Sequence, residues 1–298
     1  MYKRQVLNEK YRVRAHDGNH NTHFSVPTAI MGVEYPSNPR SFSEWRAVLK
    51  AMSLRIKEEK DVDVIIQELG TDTPGDIAQF GRYLTADVAV VTAVSEEHME
   101  FFETMDAVAQ EELSIAKFAK LTIVNRDDID ENYAKYADTH AIDTYGLGEK
   151  AEYRLIPEPA SPIDGRIGRL VTPEWGELTV TLQLVGDHSL KAAVAAACVG
   201  AKLGLTSQHI ANGISKIKPV PGRMQVLRGQ MQSTIIDDTY NASPLAVTAA
   251  LQTLMNIEAP QRIAILGSMN ELGKTSAQAH EMIGLLCDPT KIEWVCLL

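Results

Sequence analysis

Long apolar runs are missing from this chain of 298 residues. No stretch approaches the roughly 20 apolar residues that a membrane-crossing helix needs. The amino-terminal Met1-Tyr2-Lys3-Arg4-Gln5 lacks the apolar segment of a secretory leader. Neither membrane insertion nor export is therefore expected. A basic surplus is missing as well. Lys and Arg number 29 against 39 Asp and Glu, a net charge of −10, which disfavours a nucleic-acid surface or an anionic membrane as partner. It leaves individual loops free to take a phosphorylated ligand. Cysteine is scarce: Cys198, Cys287 and Cys296 lie far apart and fit no metal-ligand spacing. Each stands among apolar neighbours and reads as a reduced core residue of a cytoplasmic protein. Internal repeats and low-complexity tracts are absent. What remains is 45% hydrophobic and 23% charged, the balance of a folded protein with an ample core, and the length implies about two domains.

The apolar segments alternate between strand and helix character. Val62–Leu69, Ala86–Val94 and Leu121–Asn125 are compact apolar runs of the kind that form central parallel strands. Between them lie helical patterns at Phe42–Glu59, whose Trp45, Val48, Leu49, Met52 and Ile56 share one stripe, and at Asp106–Ala119. Residues 141–187 are β-rich, with a hairpin loop at Pro173–Gly176. An Ala-rich helix over Leu190–Leu203 ends at Gly204, a suitable C-cap. A shorter helix over Ser207–Ile217 leads to a Pro219–Pro221 linker, where a domain boundary belongs.

Polar groups gather where strands give way to helices. Ile235-Ile236-Asp237-Asp238-Thr239-Tyr240-Asn241-Ala242-Ser243-Pro244 reads as a strand, a turn and a helix with Ser243 as N-cap and Pro244 at the first helical position. Capping accounts for Ser-Pro. It does not account for two acids, Tyr and Asn beside the Pro221-Gly222-Arg223 turn, at the strand end where open α/β sheets bind ligands. Glu68 and His98 each follow a buried strand and are metal candidates. Glu68 suits a hard Mg²⁺ ion held mainly by phosphate and water oxygens. The alternative for His98 is a solvated residue at a helix start among acids, and for Arg223 a surface arginine after a turn. Asp17-Gly18-Asn19-His20-Asn21-Thr22 is either a simple turn or part of a site.

Pro-Gly-Arg followed by D-D-x-Y-N-A-x-P resembles the Mur ligases. So do Glu68-Leu69-Gly70, the string His98-Met99-Glu100-Phe101-Phe102, the G-N-H-N loop at 18–21, and Leu266-Gly267-Ser268-Met269-Asn270-Glu271-Leu272-Gly273 with His280 downstream. The resemblance covers nearly the whole chain. It implies an α/β fold: a central Mur-ligase ATPase-type parallel-sheet domain over residues 1–220, then a partial Rossmann-like C-terminal domain over 221–298. It implies a cytoplasmic, monomeric ATP-dependent ligase that joins an amine to a carboxylate through an acyl phosphate. The Asn-Ala-Ser-Pro form leans toward addition of D-alanyl-D-alanine to a UDP-MurNAc-peptide. Glu68 and His98 would hold Mg²⁺ and Arg223 would reach the phosphates. His188, Asp238 and Tyr240 would meet the nucleotide, ATP, with Asn241 shaping the turn. Asn19 and Asn21 would bind substrate.

The chain departs from the family at several points. Ser25 stands where Gly is expected, and Ser189 and Ala192 replace two Asn, the second of which meets the base. Glu112 occupies the position of a lysine that is carbamylated in many members. It either supplies a genetically encoded carboxylate in catalysis or is one more helix acid on a decayed site. No G-x-x-G-K-[ST] phosphate loop is found; Gly273-Lys274-Thr275 ends like one, but Gly267 lies one position too far upstream. The expectation is an internal fragment that begins just after that loop and has no ligase activity in isolation. A non-catalytic binding or scaffold relative, and a sister ligase of the folate-glutamate kind, are the alternatives.

Overall fold

The computed structural model describes residues 2–16, 20–96, 98–137, 141–159, 163 and 165–298. A short helix α1 (Tyr2–Leu7) leads into β1 (Val13–Ala15) and α2 (Ser25–Met31). Helix α3 (Phe42–Arg55) precedes β2 (Val64–Ile66), α4 (Asp76–Phe80) and β3 (Ala86–Val91). Then come α5 (Met99–Phe102), α6 (Met105–Leu113), β4 (Ala119–Asn125), β5 (Ile142–Gly146), β6 (Tyr153–Pro157), β7 (Arg166–Thr172) and β8 (Gly176–Leu182). Helices α7 (Asp187–Lys202) and α8 (Ser207–Ser215) close this part. The remainder holds β9 (Gln225–Arg228), β10 (Thr234–Asp237), α9 (Pro244–Met255), β11 (Ile263–Leu266), α10 (Ser276–Leu286) and β12 (Trp294–Leu297).

Six strands form one sheet in the order β3-β4-β5-β6-β7-β8. Its first four strands run parallel, and β6–β7 and β7–β8 are antiparallel. The Ala-rich α7 lies across it. Its Ala193, Ala195, Ala196 and Ala197 are buried together with Leu155, Leu170 and Leu182 of the sheet and Val6 and Leu7 of α1. Small side chains let this helix sit close to its neighbours. Gly204, in the left-handed region at φ 78°, ends the helix, and Leu205 N–H returns to Gly200 O at 2.9 Å, which satisfies a terminal carbonyl. Ser243 caps α9 as its sequence implies, accepting from Ala246 N–H, with Pro244 in the first turn.

Three expectations change. Val62–Leu69 does not supply a central strand: β2 spans three residues and, among the described residues, pairs only with β1, in a separate parallel ladder. The stripe on α3 is not a packed face. Val48 is buried, but Leu49 is 58% exposed and Ile56, at the C-cap of the helix, 73% exposed. Only Cys198 is a core cysteine; Cys287 is half-buried and Cys296 exposed. Strand β9 has no counterpart in the sequence reading, and β6 falls inside the β-rich tract 141–187 without being singled out. Arg154 interrupts one apolar run, and β9 is a half-exposed strand with Gln225 and Arg228 at its ends.

Candidate functional site

The Pro221–Met224 turn and the end of β10 meet backbone to backbone. Strand β9 pairs antiparallel with β10, setting Gln225 opposite Asp237, so the residues just outside both strands must face each other. Gly222 takes φ 71°, and its carbonyl accepts from Tyr240 N–H at 3.1 Å. A Cβ at Gly222 would lie 3.2 Å from Tyr240 N, so glycine is required for both the turn and the approach. Asp238 Oδ1 accepts from Met224 N–H at 3.1 Å. Arg223 is thereby laid over the Tyr240 ring, its guanidinium carbon 4.1 Å from the centroid, a cation–π contact. Asp237 turns inward on the loop and takes Thr239 Oγ1–H at 2.7 Å and its N–H at 3.2 Å, which holds its carboxyl below the usual range. Asn241 Oδ1 accepts from Ala242 N–H at 2.9 Å and is exposed, in keeping with a turn-shaping residue.

Two more elements reach this cluster. Burial raises the Tyr2 phenol, which its contact with the Val220 backbone and the nearby Arg223 lower and Asp238 raises again. Burial lowers the His188 imidazole, while Asp238 opposes this by favouring the charged ring. His188 Nδ1 is buried with no hydrogen-bond partner. In this way α1, the first turn of α7, the linker and the β10 loop bring Tyr2, His188, Arg223, Asp238 and Tyr240 to one place. Tyr2 was not recognisable in advance, since a tyrosine in a six-residue helix carries no motif.

The metal candidates follow strands of two different sheets, Glu68 after β2 and His98 after β3. Glu68 is exposed beyond β2. Burial pushes the Lys3 ammonium down and the Glu68 carboxylate pulls it back up, so α1 touches this strand end too. Asn21 lies alongside, its carbonyl accepting from Gly70 N–H at 3.0 Å. Asn19 falls outside the described residues. His98 is the N-cap of α5. Its Nδ1 lies 2.6 Å from Glu271 Oε2 and its Nε2 3.8 Å from Asp72 Oδ1. Among the described residues no group of three or more His, Cys, Asp or Glu is placed to hold a metal ion.

In α6 the buried carboxylate is Glu111, 7% exposed, rather than the half-buried Glu112. Glu111 accepts from Ile77 N–H at 2.6 Å, Gly75 N–H at 2.8 Å and Thr71 Oγ1–H at 3.3 Å. It thus caps α4 from outside and fixes the loop that carries Asp72. At the end of β4, Asp128 receives Lys191 Nζ of α7 at 2.7 Å and Asn125 Nδ2 at 2.6 Å. A cleft of about 740 Å³ opens beside it, between residues 126–133 and Pro244, Leu245, Thr248 and Met282. None of the described candidate residues lines that cleft.

The donors present fit the groups the resemblance implies. A carboxylate at Glu68 and an imidazole nitrogen at His98 suffice for a magnesium ion that draws its remaining ligands from phosphate and water. The unpartnered His188 Nδ1 and the stacked Arg223 suit a nucleotide carrying both hydrogen-bonding groups and negative charge.

Comparison with known proteins identifies the family of the chain. Residues 20–200 match the pattern of the Mur ligase middle domain, and residues 222–298 that of the Mur ligase glutamate ligase domain. A UDP-N-acetylmuramoyl-tripeptide–D-alanyl-D-alanine ligase of Bacillus subtilis is 28% identical over 291 residues, covering 97% of this chain and 57% of that protein. The enzyme of the same name from Treponema pallidum is 27% identical over 284 residues, 95% and 55%. Among solved structures, MurF of Acinetobacter baumannii superposes with a TM-score of 0.80 at 21% identity, covering 99% of this chain and 64% of that one. MurF of Thermotoga maritima in complex with ADP gives 0.78 at 24%, covering 100% and 62%. The chain thus spans little more than half the length of the curated relatives it matches, and the structural likenesses show its fold. On the match of the middle-domain pattern, it belongs to the Mur ligase family.

Proposed function

We propose that this chain forms the nucleotide-binding part of an ATP-dependent ligase that adds D-alanyl-D-alanine to a UDP-MurNAc-tripeptide. The observation that carries the reading is the convergence of Tyr2, His188, Arg223, Asp238 and Tyr240 at the linker. Relatives named for this reaction match almost the full chain, and a structural neighbour holds ADP.

In the reaction, the γ-phosphoryl group of ATP passes to the tripeptide's terminal carboxylate and ADP departs. The dipeptide's amine then attacks the acyl carbon, loses a proton and expels inorganic phosphate, leaving an amide. Negative charge must be met by cations already in place, because groups that reorganise during the reaction give up much of their benefit. Arg223, held flat on Tyr240, presents such a cation to the phosphates. Asp238, with Oδ1 engaged by Met224 N–H, offers Oδ2 to a ribose hydroxyl. His188 Nδ1 meets a polar atom of the nucleotide that ends its isolation. Glu68 and His98 would hold magnesium, which when bound neutralises phosphate charge and polarises the phosphoryl oxygen.

The test is a chimera in which this chain replaces the stretch it matches in the Bacillus subtilis relative. Phosphate release that requires ATP, UDP-MurNAc-tripeptide and D-alanyl-D-alanine together supports the proposal. A chimera that melts cooperatively and binds nucleotide yet releases no phosphate would replace it with a binding module. Release driven by a different amine would replace it with a sister ligase.

A further inference from the structure

Two residues with positive φ face each other across the boundary between the matched regions. His98 sits at φ 52° and Glu271 at φ 63°, a conformation that costs a non-glycine residue free energy and persists only where its surroundings enforce it. Their backbones also meet: Glu100 N–H points to Glu271 O at 3.4 Å, and a Cβ on Gly273 would lie 3.0 Å from Glu100 Cα. Strain on both sides of one contact marks it as constrained by more than local packing.

The chemistry of the contact is asymmetric. His98 Nδ1 stands 2.6 Å from Glu271 Oε2. A ring lone pair and a carboxylate oxygen cannot approach so closely without a proton between them, so Nδ1 carries the hydrogen. In the neutral ring the lone pair then belongs to Nε2. The Asp72 carboxylate, the acidic neighbour of Nε2, stands 3.8 Å away, beyond hydrogen-bond reach. The free lone pair is therefore on the nitrogen directed at the loop that follows Glu68.

The Glu271 loop is itself pinned. His280 Nε2 accepts from Met269 N–H at 3.1 Å, and its Nδ1 stands 2.8 Å from Ser276 O. These contacts fix the other histidine's tautomer and anchor the loop to α10.

We propose that Glu271 is a positioning residue for His98. It fixes the Nδ1–H tautomer and the ring orientation, so that Nε2 is presented as a metal ligand only when the C-terminal region is docked. A histidine that binds a metal through one nitrogen commonly donates its other N–H to a carboxylate; here that carboxylate arrives from the far side of the domain boundary. Metal binding and docking are thereby coupled. The proposal rests on the reading of His98 as a metal ligand.

The test is long-range ¹H–¹⁵N NMR of the histidine-labelled full chain at about pH 8, above the ordinary imidazole range, with Mn²⁺ as probe. Wild type is expected to show the Nδ1–H tautomer at His98, with Mn²⁺ relaxing its Nε2 resonance. In Glu271→Ala the ring should become a tautomer mixture and Mn²⁺ affinity should fall on the order of tenfold or more. Glu271→Gln, whose amide oxygen still accepts, should restore much of the tautomer preference. Glu281→Ala, an exposed carboxylate on α10, should change neither. An unchanged His98 tautomer in Glu271→Ala overturns the proposal. Absence of any Mn²⁺ effect on wild-type His98, with the tautomer shift present, overturns instead the metal reading beneath it, and the positioning role with it.

Discussion

Replacing Glu111 should destabilise the six-stranded-sheet region more than any other single carboxylate change in α6. The side chain is 7% exposed and accepts from Ile77 and Gly75 N–H and from the Thr71 hydroxyl. Glu111→Ala leaves the Ile77 N–H, on a residue 3% exposed, without a partner. That alone costs about 1–3 kcal/mol. The Gly75 N–H is half-buried and recovers water, so its loss adds about 1 kcal/mol, comparable to a lost helix cap. The sum is about 3 kcal/mol, or a melting shift of roughly 6–12 °C for a unit of this size. Glu111→Gln keeps one acceptor oxygen but turns an amide N–H₂ toward a donor, and should lose about half as much. The assay is thermal unfolding followed by circular dichroism, with urea unfolding as a second measure. A loss under about 1 kcal/mol in Glu111→Ala would show that the bonds to α4 do not carry the stability assigned to them.

Other outcomes follow from particular contacts. Arg223→Ala should weaken MgADP binding about tenfold in calorimetry, roughly 1.4 kcal/mol, while the exposed Arg82→Ala should not. If Glu112 supplies a functional carboxylate, both Glu112→Ala and Glu112→Lys should lower Mn²⁺ affinity; unchanged affinity in both assigns it to the helix surface. The Arg12 side chain and N–H hold the Asp63 carboxyl down, from 3.8 to about 2. Because the folded value is depressed, this clamp between the approaches to β1 and β2 stabilises the fold above pH 3.8 and is lost as pH falls through about 2. A carboxyl titration by ¹³C NMR with its midpoint near the unperturbed value would contradict it. Burial pushes the Cys198 thiol far up, so iodoacetamide should label exposed Cys296 in the native protein and Cys198 only after unfolding, as read by mass spectrometry.

The sequence announced those parts of the fold that local rules govern. Ser243-Pro244 marks a helix start and Gly204 a helix end, and the structure has both. Compact strands at β3 and β4 followed from aliphatic runs buried on both faces. Val62–Leu69 was misleading because apolar content says nothing of which partner a strand finds, and β2 pairs with β1 apart from the six-stranded sheet. The linker cluster was half legible. The string from Asp237 to Pro244 and the Pro-Gly-Arg turn stood out, but Tyr2 and His188 reach Asp238 only through folding of the whole chain. Glu271 lay in a recognised string without a role, since the pairing that gives it one spans residues 98 and 271. Glu111 and Glu112 are adjacent in sequence, and only helix rotation decides which of them is buried.

The central claim is that α1, the first turn of α7, the linker and the β10 loop form one nucleotide site. Hydrogen exchange of the chain with and without saturating MgADP measures this directly. Simultaneous slowing at residues 2–4, 186–190, 220–224 and 237–241 is the predicted result. Slowing confined to residues 126–133 at the 740 Å³ cleft, or none in those four segments, would contradict it.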